Sequence, residues 1–182
     1  AGATVDVLHV GEDKADPTLR KALAIGADKA IRIDTPATDA FVVADQISEY
    51  IQVNPYDLII AGRESIDYNG SMVPGMIAAK CDLAFVNTCV KLEIDGSTAS
   101  ATREMDGGME VLRVELPMII GSQKGLVEET DLRIPNMRGI MQARQKPLAV
   151  VRPIESSSKT AISSFEKPAP KAAVKLVPAN DI

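Results

Sequence analysis

Between Ile60 and Gly75 the chain reads IAGRESIDYNGSMVPG, a set of residue types suited to holding a phosphate. The segment follows the apolar run Leu58-Ile59-Ile60-Ala61, and ligands of open α/β sheets bind beyond the carboxyl ends of such strands. Gly62 lets backbone approach a ligand closely, and Gly70 permits a tight turn. Ser71 is placed to cap a helix whose first turn contains Pro74. The free amides and positive dipole end of that helix, around Ser71, Met72 and Val73, would face an anion. Asp67 could accept hydrogen bonds from a ribose or from the loop's own amides, and Asn69 stands beside it. The spacing matches neither GxGxxG nor the P-loop, so a glycine-containing turn with a capping serine explains the same residues as well.

Other chemistry finds less support. His9 is the single histidine, and Cys81 and Cys89 do not form CxxC, so a common Cys/His zinc site cannot be assembled. No Ser-His-Asp set or acid/base pair is visible near the loop, so the sequence is poor as an enzyme. Met137, Ile140 and Met141 share one helical face beside Arg138, Arg144 and Lys146. Taken alone, that pattern is more simply a helix burying its apolar side. Glu104 and Asp106 alone are surface charges flanking a turn.

The 182 residues, 46% of them hydrophobic, suit one ordinary domain with a real core. A net charge of −5, no tryptophan and few other aromatics argue against nucleic acid as a partner. No apolar run approaches the ~20 residues of a membrane span, and no secretory signal opens the chain. Two isolated cysteines fit a reducing compartment, so the cytoplasm or an organelle matrix is the expected location, and the cytoplasm if the protein is bacterial.

These groups must be positioned by an alternation of strands and helices. Val5 to Val10 reads as a strand, Asp16-Pro17 as a helix start with aspartate as its cap, and Gly26 as its end. Ala30 to Ile33 forms the next strand; Thr38 or Asp39 opens a second helix, broken at Asn54-Pro55. With Leu58 to Ala61 this is a doubly wound, mostly parallel sheet of Rossmann-like type. From Cys89 the period changes to alternation, with turns at Asp95-Gly96 and Asp106-Gly107-Gly108, predicting an appended β-meander. The domain is placed at 1–153. Residues 154–182, rich in Ser, Ala, Lys and Pro, read as an extended C-terminal arm that orders on a partner.

Four segments in order, LRKALAIGADKAIRID, DLIIAGRESID, REMDGGMEVLRVELP and RIPNMRGIMQARQKPLAVV, resemble beta (small) subunits of electron-transfer flavoproteins, in a bacterial wording. The resemblance implies a heterodimer whose alpha subunit carries the redox FAD. The beta subunit would hold AMP or, in electron-bifurcating members, a second FAD. Nucleotide contacts fall on Val10 and on Gly62 through Val73. The helix of PNMRGIM would dock on acyl-CoA dehydrogenase-type flavoproteins, with Met137 as anchor and Arg138, Ile140 and Met141 around it. Glu104 matches the glutamate implicated in movement of the flavin domain, and the arm would wrap onto the alpha subunit.

Two departures follow from the same resemblance. The family's Thr-Gly step in the phosphate loop is Val73-Pro74 here, which removes a hydroxyl and one backbone N–H. The chain also opens at the family's second strand, so a central strand is expected to be missing and two inner sheet edges exposed. The alternative is a stand-alone adenine-nucleotide-binding module, for which the meander, the RGIMQAR helix and the arm would have no use.

Overall fold

The computed structural model describes residues 2–66 and 69–174. In chain order its first half contains β1 (Asp6–Val10), α1 (Asp16–Ile25), β2 (Lys29–Ile33), α2 (Ala40–Val53), β3 (Leu58–Gly62) and α3 (Met72–Cys81). There follow β4 (Ala84–Asp95), β5 (Thr98–Met105), β6 (Gly108–Glu115), β7 (Met118–Ser122), α4 (Met137–Ala143) and β8 (Leu148–Val151). The chain is a mixed α/β protein containing parallel sheet.

The strands form two sheets rather than one. A three-stranded sheet has the order β1-β2-β8, all parallel. A five-stranded sheet has the order β3-β7-β4-β5-β6. In it β3, β7 and β4 run parallel, while β4, β5 and β6 form the antiparallel meander. Strands β1 and β3 each keep one unpaired edge, and Ile60 on β3 is 60% exposed.

Local chemistry accounts for most boundaries and corrects some. Asp39 does cap α2, its Oδ1 accepting from Val42 N at 2.8 Å. Asp16 does not cap α1: Ala15 precedes the helix, and the Asp16 carboxylate accepts from Arg32 Nε at 2.7 Å. Met118, Ile119 and Ile120 return to the centre of the sheet as β7, covered on both faces. One face packs on Val86, Cys89, Ala99 and Ala101, the other on Ile77 and Ala78 of α3. Burial on both sides explains a continuous apolar run without alternation. Strand β8 is too short to announce itself by period, and it is fixed by pairing with β2.

The arm is fastened at its base. Buried Gln46 of α2 donates from Nε2 to the Ile154 carbonyl and accepts from Ile154 N, both at 2.9 Å. Asp39 Oδ2 accepts from Lys159 N at 2.6 Å and Thr160 N at 3.0 Å. Residues 161–174 are exposed throughout, Phe165 and Val174 among them. Leu176, Val177 and Pro178 lie outside the described residues.

Candidate functional site

The loop after β3 begins where the parallel strands end. Arg63 N donates to the Ser122 carbonyl at 3.1 Å, extending the ladder with β7 by one residue. Ser122 Oγ donates to the Ala61 carbonyl at 2.8 Å, tying the ends of the two strands together. Ser65 N donates to the Gly70 carbonyl at 2.8 Å, which closes the loop at its neck. The left-handed residue of the turn is Asn69, at φ +51°, rather than Gly70. Asparagine tolerates that conformation better than other non-glycine residues, so the spelling Asn69-Gly70 misdirects the sequence reading.

Gly62 faces open space: the nearest atom to a β-carbon built there is the Glu64 carbonyl oxygen at 3.9 Å. Ser71 stands at the N-cap of α3, but its hydroxyl makes no capping bond. Ser71 therefore offers the amides of Met72 and Val73 no side-chain cap, and Pro74 has no N–H to offer. Val73 packs partly buried against Ile77, whereas Met72 is 56% exposed. Asp67 lies outside the described residues.

Val10 ends β1 in the other sheet and is buried. Beyond it Gly11 is held by a bond from its N–H to the Ile33 carbonyl at 3.0 Å. The His9 imidazole folds over Gly11 so closely that a β-carbon would lie 2.4 Å from Nε2. Partial burial, and then the nearby Arg32 charge, lower the His9 pKa below its ordinary value of 6.5. Arg32 itself is buried, its charge met by Asp16 and Asp34 and by the Gly11 carbonyl at 3.1 Å. Sequence reasoning missed this cluster because Arg32 is spelled as one polar residue in an apolar strand.

A second region lies on α4. Asn136 Oδ1 caps it by accepting from Gly139 N at 2.8 Å. Arg20 donates from Nη1 to the Ala143 and Lys146 carbonyls at 2.8 and 2.7 Å, closing its far end. Lys146 turns away from the surface, its Nζ donating to the Leu23 and Ala27 carbonyls at 3.1 and 2.6 Å. It thus caps α1 instead of standing beside the apolar face. Only Ala143 of α4 is buried, while Met137, Ile140 and Met141 are 75%, 43% and 65% exposed. Arg138 is exposed beside them. The simpler expectation of a helix burying its apolar side does not hold.

Glu104, near the end of β5, is exposed, and its Oε2 accepts from Gln123 Nε2 at 2.7 Å. Among the described residues no cluster of His, Cys, Asp or Glu could hold a metal ion, and no helix is long and apolar enough to cross a membrane.

Comparison with known proteins gives a consistent result. Residues 1–156 match the electron transfer flavoprotein domain. The chain is 40% identical over 169 residues to an electron transfer flavoprotein subunit beta of Syntrophomonas wolfei, covering 92% of this chain and 66% of that protein. It is 34% identical over 151 residues to the protein of that name from Bacillus subtilis, covering 81% and 58%. The human protein of that name is 29% identical over 173 residues, covering 90% and 67%. The chain spans about two thirds or less of the length of these relatives.

Proposed function

The chain belongs to the electron transfer flavoprotein family, and from that premise we propose that it acts as the beta subunit of a heterodimeric electron carrier. The observation that carries this is α4, capped at both ends and pinned to α1 while Met137, Ile140 and Met141 face solvent. An apolar face presented on so fixed a support is an interaction surface, and methionine side chains repack to suit several partners. The partner class is an acyl-CoA dehydrogenase-type flavoprotein, and the exposed Arg138 would meet negative charge on that partner.

In this reading the chain's part is to bind and to orient. FAD on the alpha subunit would supply the one-electron chemistry. Glu104, held by Gln123 at the meander's exposed end, would meet that flavin-carrying domain. The arm, anchored through Asp39 and Gln46, continues onto the alpha subunit.

For an adenine nucleotide, AMP or a second FAD, the candidate residues are Val10, Gly62, Asp67, Asn69, Gly70, Ser71, Met72 and Val73. Open space at Gly62 and a start of α3 that Ser71 leaves uncapped support a phosphate there. The finer fold is a doubly wound sheet in which β1 and β3 flank one further strand. Their unpaired parallel edges and the exposed Ile60 support it. The compartment is the cytoplasm of a bacterium.

The test is to co-express the full gene with its neighbouring alpha subunit, purify the complex, denature it and quantify released nucleotides. One FAD and one AMP per heterodimer is the expected result. Two FAD would mean a bifurcating system, and FAD alone a loop without ligand. Failure to purify with any flavoprotein overturns the carrier assignment in favour of a stand-alone module.

A further inference from the structure

Strand β4 loses register with β7 between Val86 and Cys89, and the break is built from demanding residues. Thr88 takes φ +53°, a left-handed conformation that β-branched side chains rarely adopt. Its hydroxyl lies 2.8 Å from both the Asn87 and the Glu104 carbonyl oxygens, which holds it there. Asn87 lies across Gly121 of β7: a β-carbon at 121 would be 2.1 Å from Asn87 Oδ1 and 3.5 Å from its Cα. Oδ1 is buried and has no hydrogen-bond partner. A regular strand would need none of this. Bulges of this kind re-aim a side chain, and a buried polar atom without a partner calls for an explanation.

The bulge stands at the nucleotide loop. Gly121 pairs with Ala61 and, two residues on from Ile119, shares with it the face that α3 covers. Phe85, two residues before Asn87, has its Cε1 3.5 Å from the β-carbon position of Gly75 in α3. A strand advances about 3.3 Å per residue and a helix about 1.5 Å. Two steps along β4 therefore match about four steps back along the oppositely directed α3. By that count Asn87 falls about level with Ser71, at the start of the helix.

We propose that Asn87 is a nucleotide-binding residue, its side-chain amide donating from Nδ2 to the phosphate of an adenine nucleotide at the start of α3. The proposal rests on the nucleotide assignment above and adds to it a residue from outside the loop. Oδ1 has no hydrogen bond to lose, so the amide turns toward a ligand without breaking one. The donor also stands in for the N–H that Pro74 lacks. The strain at Thr88 and the need for glycine at 121 then share one purpose, which is to hold this amide at the phosphate.

The test uses the full-length heterodimer, stripped of endogenous nucleotide and titrated calorimetrically with AMP and, separately, with FAD. Asn87→Ala should bind at least tenfold more weakly than the parent. Asn87→Asp should bind more weakly still, since its carboxylate repels the phosphate. Lys91→Ala, farther along the same strand, should bind as the parent does. Parent-like affinity in both Asn87 variants overturns the proposal and leaves the loop assignment standing. A parent that binds neither nucleotide overturns both. Because a variant at a bulge can fail to fold, the parent complex labelled with 15N at asparagine is titrated as well. The Asn87 side-chain amide signals should move on saturation, and unmoved signals overturn the proposal.

Discussion

Gly139 of α4 meets the backbone of Ala24 in α1 so closely that a β-carbon at 139 would lie 2.5 Å from the Ala24 carbonyl oxygen. The obstacle is backbone, which cannot swing aside as a side chain would. Gly139→Ala should therefore push α4 off α1 and destabilise the protein by about 1–3 kcal/mol, the usual cost of overpacking. Urea denaturation measures the loss. A variant with parent stability would show that α4 shifts freely on its support, and its role as a fixed platform would fail with it.

The single histidine gives a clean pH test. The His9 pKa is lowered by partial burial and by Arg32, so the folded state disfavours the imidazolium. Between its folded pKa and the ordinary value of 6.5, the unfolded chain binds more protons than the folded one. Stability from this source is complete above pH 6.5 and declines as pH falls through the folded pKa. His9→Gln should flatten that part of the curve of melting temperature against pH. NMR titration of the one imidazole should give a midpoint below 6.5, and a midpoint at or above it would contradict the geometry.

The arm's base depends on buried Gln46, whose amide exchanges two hydrogen bonds with Ile154. Gln46→Ala leaves the Ile154 amide and carbonyl without those partners, at a cost of about 1–3 kcal/mol. Hydrogen exchange across residues 154–160 should rise markedly while exchange in β7 stays slow. Equal exchange in parent and variant would mean that Asp39 alone holds the strap. Asp39 keeps its carboxylate pKa below the usual range through the Val42 amide first, then Lys159 and Thr160. Its part of the latch is therefore intact at neutral pH and weakens only as pH falls through that lowered value.

How much of this was legible depended on whether the signal was local. Asp39, Gly26 and the Asp95-Gly96 turn declared themselves because capping and turn chemistry act within a few residues. Asp16 looked like the same kind of cap, but a buried guanidinium from the next strand took its carboxylate. Met118 to Ile120 follow the meander directly in the chain, and only pairing across the sheet makes them central. At the loop, Asn69 rather than Gly70 took the left-handed turn. Asn87 was invisible because its meaning lies in Gly121, a residue far along the chain that only the fold brings beneath it.

Met137 is the sharpest test of the docking face. It is the most exposed of the α4 methionines, at 75%, and belongs to a helix whose ends are both tied down. Truncating it removes apolar surface that only a partner would bury, so Met137→Ala should leave the fold and its stability unchanged. A residue that anchors an interface contributes about 1–2 kcal/mol when truncated, which is about tenfold in affinity. Electron acceptance from an acyl-CoA dehydrogenase-type donor should accordingly need about tenfold more carrier for half-maximal rate. The flavin content of the heterodimer should not change, because the proposed place of the FAD is the alpha subunit. Replacement by leucine should restore most of the activity, since a buried anchor tolerates a swap of similar volume. Unchanged kinetics in the alanine variant would remove Met137 from the docking role and leave its exposure unexplained.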